Sequence, residues 1–246
     1  YFAVRNDGVD GADIVDGGAG TDSYIASVAS GALRINLDTV AHDFSPLTPG
    51  SGMVAANTVV GTNVAGAFTD TITGFENASG GSGDDFIYGN AAANLLDGGN
   101  GYDTLFGYGG SDTLIGRDGG DALIGGAGKD TLSGGADADF FIFTAMTDSG
   151  VTAATRDVIN DFQDGLDVIN LYRIAANPAN GTTDDAFNFI GTNQAFTGAA
   201  GQLRAYWTTE GEMVEGDVTG DGKADFAIEL LDPNHALTLS AADFVL

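Results

Sequence analysis

From Gly80 to Ile142 the sequence divides without a gap into seven nonapeptides: GGSGDDFIY, GNAAANLLD, GGNGYDTLF, GYGGSDTLI, GRDGGDALI, GGAGKDTLS and GGADADFFI. Position six reads Asp85, Asn94, Asp103, Asp112, Asp121, Asp130 and Asp139, and position eight reads Ile87, Leu96, Leu105, Leu114, Leu123, Leu132 and Phe141. Two earlier units, GVDGADIVD from Gly8 and GGAGTDSYI from Gly17, carry Asp13 and Asp22 at position six. One apolar side chain per unit points inward while glycines hold the turn, so the pattern is a stack of short strands. Asp and Gly are good turn formers wherever they fall, but seven units in unbroken register are not explained by turn propensity alone.

Each unit spends six residues on a turn that glycine permits and about three on a strand. Two units therefore make a coil of about eighteen residues, and coils stack at the inter-strand spacing of about 4.8 Å. Position-six side chains eighteen residues apart then lie above one another. This predicts two columns, Asp85, Asp103, Asp121, Asp139 on one side and Asn94, Asp112, Asp130 on the other. Extending each by eighteen reaches Asp157 and Asp148, which are both aspartates although the glycine motif has ended. Bare carboxylates at about 5 Å repel by roughly a kcal/mol per pair even in water, so each adjacent pair calls for a shared cation. The seven adjacent pairs predict about seven ions. Asn94 lacks a charge and has Ala92 in its turn, so its site is the weakest.

Composition points to the same partner. The chain has 246 residues, 43% of them hydrophobic, with 39 glycines and a net charge of −27 from 8 basic and 35 acidic residues. That balance argues against nucleic acid or an anionic membrane as a partner. With no cysteine there is neither a disulfide framework nor a thiolate site, and carboxylate and carbonyl oxygens suit calcium. The sequence shows no initiating Met, no leader and no apolar run near twenty residues, so it reads as a piece of something longer without a membrane span.

The repeats resemble the RTX, or haemolysin-type, calcium-binding family, and the resemblance implies a right-handed parallel β-roll in an all-β chain. It also implies carbonyl donors from the turns, cleanest here at Gly98, Gly99, Gly101 and at Gly125, Gly126, Gly128. Tyr108, Arg117 and Asp137 stand where glycine is usual. Beyond the roll, RDVINDFQDGLDVINL, AFNFIGTNQAFTGAAGQLRAY, GDVTGDGKADFAIEL and LTLSAADFVL are similar in content and order to the serralysin C-terminal domain. That similarity implies an antiparallel β-rich region, secretion through type I machinery and an extracellular location, with the final Asp243-Phe244-Val245-Leu246 matching the usual ending. The resulting division is a roll over 1–157 and a secretion domain over 158–246. Residues 26–79 number 54, six times nine, and read as an irregular insertion or degenerate coils. Glu76, nine before Asp85, is a candidate cap for the first ion.

Other constellations carry less. DVTGDGKADF offers Asp217, Asp221 and Asp225 in the manner of an EF-hand loop but has Ile228 where Glu is required, and it reads equally well as a hairpin turn. The chain has only two histidines, His42 and His235, so no H-E-x-x-H zinc helix is present. GKD at Gly128 lacks the Ser or Thr of a phosphate loop. The chain therefore reads as a calcium-binding module of a secreted protein rather than an enzyme: a module that folds on calcium after export. The alternatives are a structural S-layer, biofilm or adhesin fragment, or an accessory module of a secreted protease or polysaccharide-modifying enzyme. Oligomeric state is not readable from the sequence.

Overall fold

The computed structural model describes residues 3–5, 14–26, 31–39, 42–43, 53–55, 58–63, 66–177, 185–232 and 236–246. The N-terminal part contains β1 (Ala3–Arg5), β2 (Ile14–Asp16), β3 (Ser23–Ile25), β4 (Leu33–Asn36), β5 (His42–Asp43), β6 (Met53–Val54), β7 (Thr58–Asn63), β8 (Gly66–Thr73) and β9 (Asn77–Ser79). The repeats form β10 (Phe86–Tyr88), β11 (Leu95–Asn100), β12 (Thr104–Gly110), β13 (Thr113–Asp118), β14 (Ala122–Gly128), β15 (Thr131–Ala136) and β16 (Phe140–Ile142). There follow β17 (Asp157–Ile159), β18 (Val168–Asn170), β19 (Asn188–Thr192), β20 (Gln202–Trp207), β21 (Gly211–Asp217), β22 (Phe226–Leu231) and β23 (Phe244–Val245), with a 3-10 turn at Ala241–Asp243.

Successive repeat strands alternate between two sheets, as a β-roll requires. One sheet runs β1-β3-β9-β11-β13-β15-β17-β22-β21-β20-β19 and the other β2-β8-β7-β4-β10-β12-β14-β16-β18-β23. All pairing within the repeats is parallel, and the register advances by eighteen: Leu96 lies beside Leu114 and Leu114 beside Leu132, as Ile87 beside Leu105 and Leu105 beside Leu123. The seven position-eight side chains are all fully buried. Because neighbours along a strand face opposite ways, position nine points outward. On one sheet that outer face carries a second small cluster, Tyr88, Phe106 and Ile124, with the Tyr88 and Phe106 rings 5.2 Å apart.

Close stacking explains the glycine demand. A Cβ on Gly98 would strike the Asp103 carboxylate, and one on Gly128 (φ 145°) would strike the Gly110 carbonyl of the neighbouring turn. Tyr108, Arg117 and Asp137 nevertheless adopt φ of 74°, 91° and 74°. Their turns keep the glycine geometry and accept the left-handed penalty, of order 1–2 kcal/mol per residue.

Of residues 26–79, β4, β7, β8 and β9 join the two sheets of the roll. In one sheet β3 pairs directly with β9, Tyr24 beside Ala78, as though nothing intervened. In the other, β4 joins the roll in parallel beside β10, while β7 and β8 add an antiparallel meander between β4 and β2. Past the repeats both sheets cross the expected 157/158 boundary without a break: β17 pairs with β15 and β22, and β18 with β16 and β23, all in parallel. The expected antiparallel element is β20-β21-β22, which closes one sheet. A single core extends from Tyr24 to Phe244.

Burial at position eight sets the stability of the roll. Leu114→Ala or Leu123→Ala is expected to cost about 2–5 kcal/mol in urea unfolding with calcium present. Leu95→Ala, at a side chain 42% exposed, should stay within about 0.5 kcal/mol. Equal effects at the two classes would contradict the inward assignment.

Candidate metal centre

The position-six aspartates are tied coil to coil through their own backbones. The N–H of each donates to Oδ1 of the acid one coil further on: Asp85 to Asp103 at 2.7 Å, Asp103 to Asp121 at 2.8 Å, Asp121 to Asp139 at 2.8 Å and Asp139 to Asp167 at 3.0 Å. On the opposite side Asn94 donates to Asp112, Asp112 to Asp130 and Asp130 to Asp157, each at 2.8 Å. These are seven stacked pairs, but their last members differ from those expected.

Asp157 continues the column of Asp130 and not that of Asp139, because residues 143–156 lengthen this coil from eighteen to 27. The Asp130 N–H goes to Asp157 rather than to Asp148, although the Asp148 charge acts on both Asp130 and Asp157. Oδ2 of Asp148 accepts the N–H groups of Thr144 and Ala145 at 2.7 and 2.9 Å and the Thr144 hydroxyl at 2.9 Å, holding the loop that makes the extra length. The column of Asp85 ends on Asp167, which extension by eighteen missed. A signal was available: DVIN occurs twice, at 157 and 167, each time with Asp two residues before an inward Ile. Asp161, also missed, accepts the Gly134 N–H at 3.0 Å in the same terminal turn.

Burial leaves half of each carboxylate without a donor. Oδ2 of Asp103, Asp112, Asp121, Asp130, Asp139 and Asp157 is buried with no hydrogen-bond partner. Desolvation is the main cause of the resulting pKa elevation, to about 8 at Asp103, 7 at Asp112, 7 at Asp121, 6 at Asp130, 7 at Asp139 and 8 at Asp157, against 3.8 for an ordinary Asp. Column neighbours add to the rise, as Asp85 and Asp121 do at Asp103. Asp85, first in its column, reaches only about 6, because N–H groups of Gly81 and Leu33 hold its two oxygens at 2.8 and 2.7 Å. An unpaired buried charge is expensive unless a counter-ion or proton joins it.

The donor set fits calcium. The orphaned oxygens are hard anionic donors, and turn carbonyls lie beside them: those of Gly98 and Gly125 abut Gly80 and Gly107 of the adjacent turn, and that of Gly101 abuts Gly119. Gly99, Gly126 and Gly128 play the reciprocal part, since the carbonyls of Gly81, Tyr108 and Gly110 press against them. Among the described residues no three acidic or histidine side chains converge on one point. Coordination here would therefore combine carboxylates of successive turns with backbone carbonyls, as oxygen-rich calcium sites allow.

The N-terminal end of the second column is weaker. The Asn94 amide is self-contained, with its oxygen accepting the Asn90 N–H at 2.8 Å and its nitrogen donating to the Glu76 carbonyl at 2.5 Å. Glu76 lies on this column rather than beside Asp85, and its carboxylate accepts the Asp22 N–H at 2.9 Å. Asp22 is buried. Asp13 and His235 lie outside the described residues, and His42 falls in β5. The DVTGDGKADF segment is the turn of the β21/β22 hairpin: Asp217 accepts N–H groups of Gly220 and Gly222, and Asp225 those of Val218 and Thr219.

The raised values have a pH consequence. Between about pH 4, where an unfolded Asp titrates, and the raised values near 6 to 8, the metal-free fold binds more protons than the unfolded chain. Its stability therefore falls as pH climbs through that window. In chelator, the chain should hold more β signal by circular dichroism at about pH 5 than at about pH 8. Half-saturation by calcium should need less metal as pH rises from about 6 to 8, because the ion displaces protons. A pH-independent calcium midpoint would contradict the buried-acid account.

The family description "Peptidase M10 serralysin C terminal" matches residues 16–246. Two solved subunits of the Azotobacter vinelandii mannuronan C5-epimerase are each 28% identical over 66% of this chain; they are covered to 77% and 88% and superpose with TM-scores of 0.34 and 0.35, too loosely to carry an argument. No curated protein matches the chain. The serralysin match describes the non-catalytic C-terminal part of secreted proteins built on calcium-binding repeats, and it spans the same residues as the roll and its closing hairpin. The chain belongs to the serralysin C-terminal family.

Proposed function

We propose that the chain is a calcium-triggered folding module, carried by a larger protein that leaves the cell through type I machinery and orders outside. The observation that carries this reading is the set of six buried aspartate oxygens without donors, stacked in two columns. With calcium scarce these carboxylates oppose one another and the glycine-rich chain gains much backbone entropy by unfolding. Calcium bound between successive turns supplies the positive charge that the columns lack. The chain's own contribution is geometric. Position-six N–H groups fix Oδ1, turn glycines let carbonyls approach, and the leucine ladder aligns the coils.

Calcium-binding modules outside the cell work at about 10⁻⁴–10⁻³ M, far above cytosolic levels. The same sequence is then loose before export and folded after it. The charge of −27 keeps the unfolded chain soluble and extended.

Far-UV circular dichroism during a calcium titration from excess chelator, with magnesium as control, tests the reading. A cooperative coil-to-β transition near millimolar calcium, absent with magnesium, is expected. A chain already folded in chelator and indifferent to calcium would overturn it and leave a static scaffold. Asn94→Asp adds a sharper check. Losing the amide's bond to the Glu76 carbonyl should reduce the β signal held in chelator at about pH 5, while the restored charge should lower the calcium midpoint. Effects of the same sign in both conditions would contradict the column assignment.

A further inference from the structure

We propose that Glu212, with Asp164, Asp232 and Asp243, forms a separate cation site at the closing end of the roll, suited to a hard divalent ion such as calcium. Glu212 is fully buried, and neither of its carboxylate oxygens has a hydrogen-bond partner. It lies on β21 opposite Leu230 of β22 and Trp207 of β20, on the strand face that carries the buried Val214. A carboxylate in that setting, between a tryptophan and a core leucine, needs a neutralising partner.

The surroundings supply further anionic groups. Asp232 continues β22 two residues past Leu230, which places it diagonally from Glu212 on the same face. Asp243, 2% exposed, leads into β23 from the other sheet, and its Oδ1 accepts the Gly165 N–H at 3.1 Å. Asp164, next in sequence to Gly165, is exposed and accepts the Thr238 N–H at 3.1 Å. Burial raises Glu212 to about 7, and the charges of these three acids add to the rise. Asp232 and Asp164 hold backbone N–H groups through Oδ2, and Asp243 does so through both oxygens, so their positions are set by the fold. No three of the four already meet at one point. An ion would take Glu212 and its nearest acidic neighbour first and complete roughly six to eight oxygens from carbonyls and water.

The lone tryptophan, Trp207, sits directly across from Glu212 and makes the site addressable separately from the columns. Terbium added to the calcium-folded chain and excited at the red edge of the indole band should give saturable, Trp-sensitised emission. Glu212→Gln should abolish that emission, Asp164→Asn should weaken apparent terbium affinity about tenfold, and Asp118→Asn, at an exposed acid, should leave it unchanged. Asp164 is at the surface, so its variant decides the matter if Glu212→Gln does not fold. Absent emission, or emission indifferent to both substitutions, would overturn the site. So would a Glu212→Gln chain more stable to urea than the parent in saturating calcium, the behaviour of a plain buried acid. The cooperative calcium transition reads the columns and this emission reads the closing end, so either assignment can fail without the other.

Discussion

Like-charged carboxylates stacked at one-coil intervals inside the protein govern the rest of this structure. Coils of a parallel roll cannot spread apart without breaking the strand ladder, so the spacing that satisfies the backbone brings the acids into contact range. Their Oδ1 atoms are absorbed by N–H groups of the adjacent coil, and the opposite oxygens are buried without donors. The glycines follow from the same spacing, since a Cβ at position one would occupy the space of the carboxylate. The large negative charge is thus partly a requirement of the fold and partly a means of making the fold conditional on a cation.

What was legible in the sequence was whatever repeats. The eighteen-residue coil, the inward ladder of Ile87, Leu96 and their equivalents, and the interior of both columns follow from a nine-residue period. Reasoning by period failed where the period ends. Residues 143–156 add nine residues to one coil, which moves Asp157 to the opposite column and turns Asp148 into a loop clamp. The strand signature DVIN survives that change because it records which side chains point inward, whereas counting records only distance along the chain. Glu212 has no signature of either kind. Its burial depends on the β20-β21-β22 pairing, which no period announces.

The two sheets answer differently to irregular sequence. Between Asp22 and Glu76 the chain makes a 54-residue excursion, yet one sheet closes over it as if the two coils were adjacent. The other absorbs it as extra antiparallel strands. An antiparallel hairpin needs only a short turn, so a pair of strands can be added to one sheet without changing what faces the other. Along the sheet that closes directly, the Asp22 N–H donates to the Glu76 carboxylate and the Asn94 amide donates to the Glu76 carbonyl.

Closure at the C-terminal end changes the balance between local and distant contacts. Each repeat coil joins residues eighteen apart, whereas β17 meets β22 at Asp157 and Ile228, 71 apart (228 minus 157). Loop entropy rises by about 0.6 kcal/mol for each doubling of length, so this fourfold span costs only about 1.2 kcal/mol more than a coil. In return the strand ladder gains pairs through Ile159 and Leu230 and through Ile169 and Phe244, all buried apolar side chains. Burial of even one such side chain contributes about 1.5–3 kcal/mol, enough to exceed the added entropy. The closing hairpin therefore belongs energetically to the roll. Beyond β22 the sheet continues through antiparallel β21 and β20 to its last strand, β19.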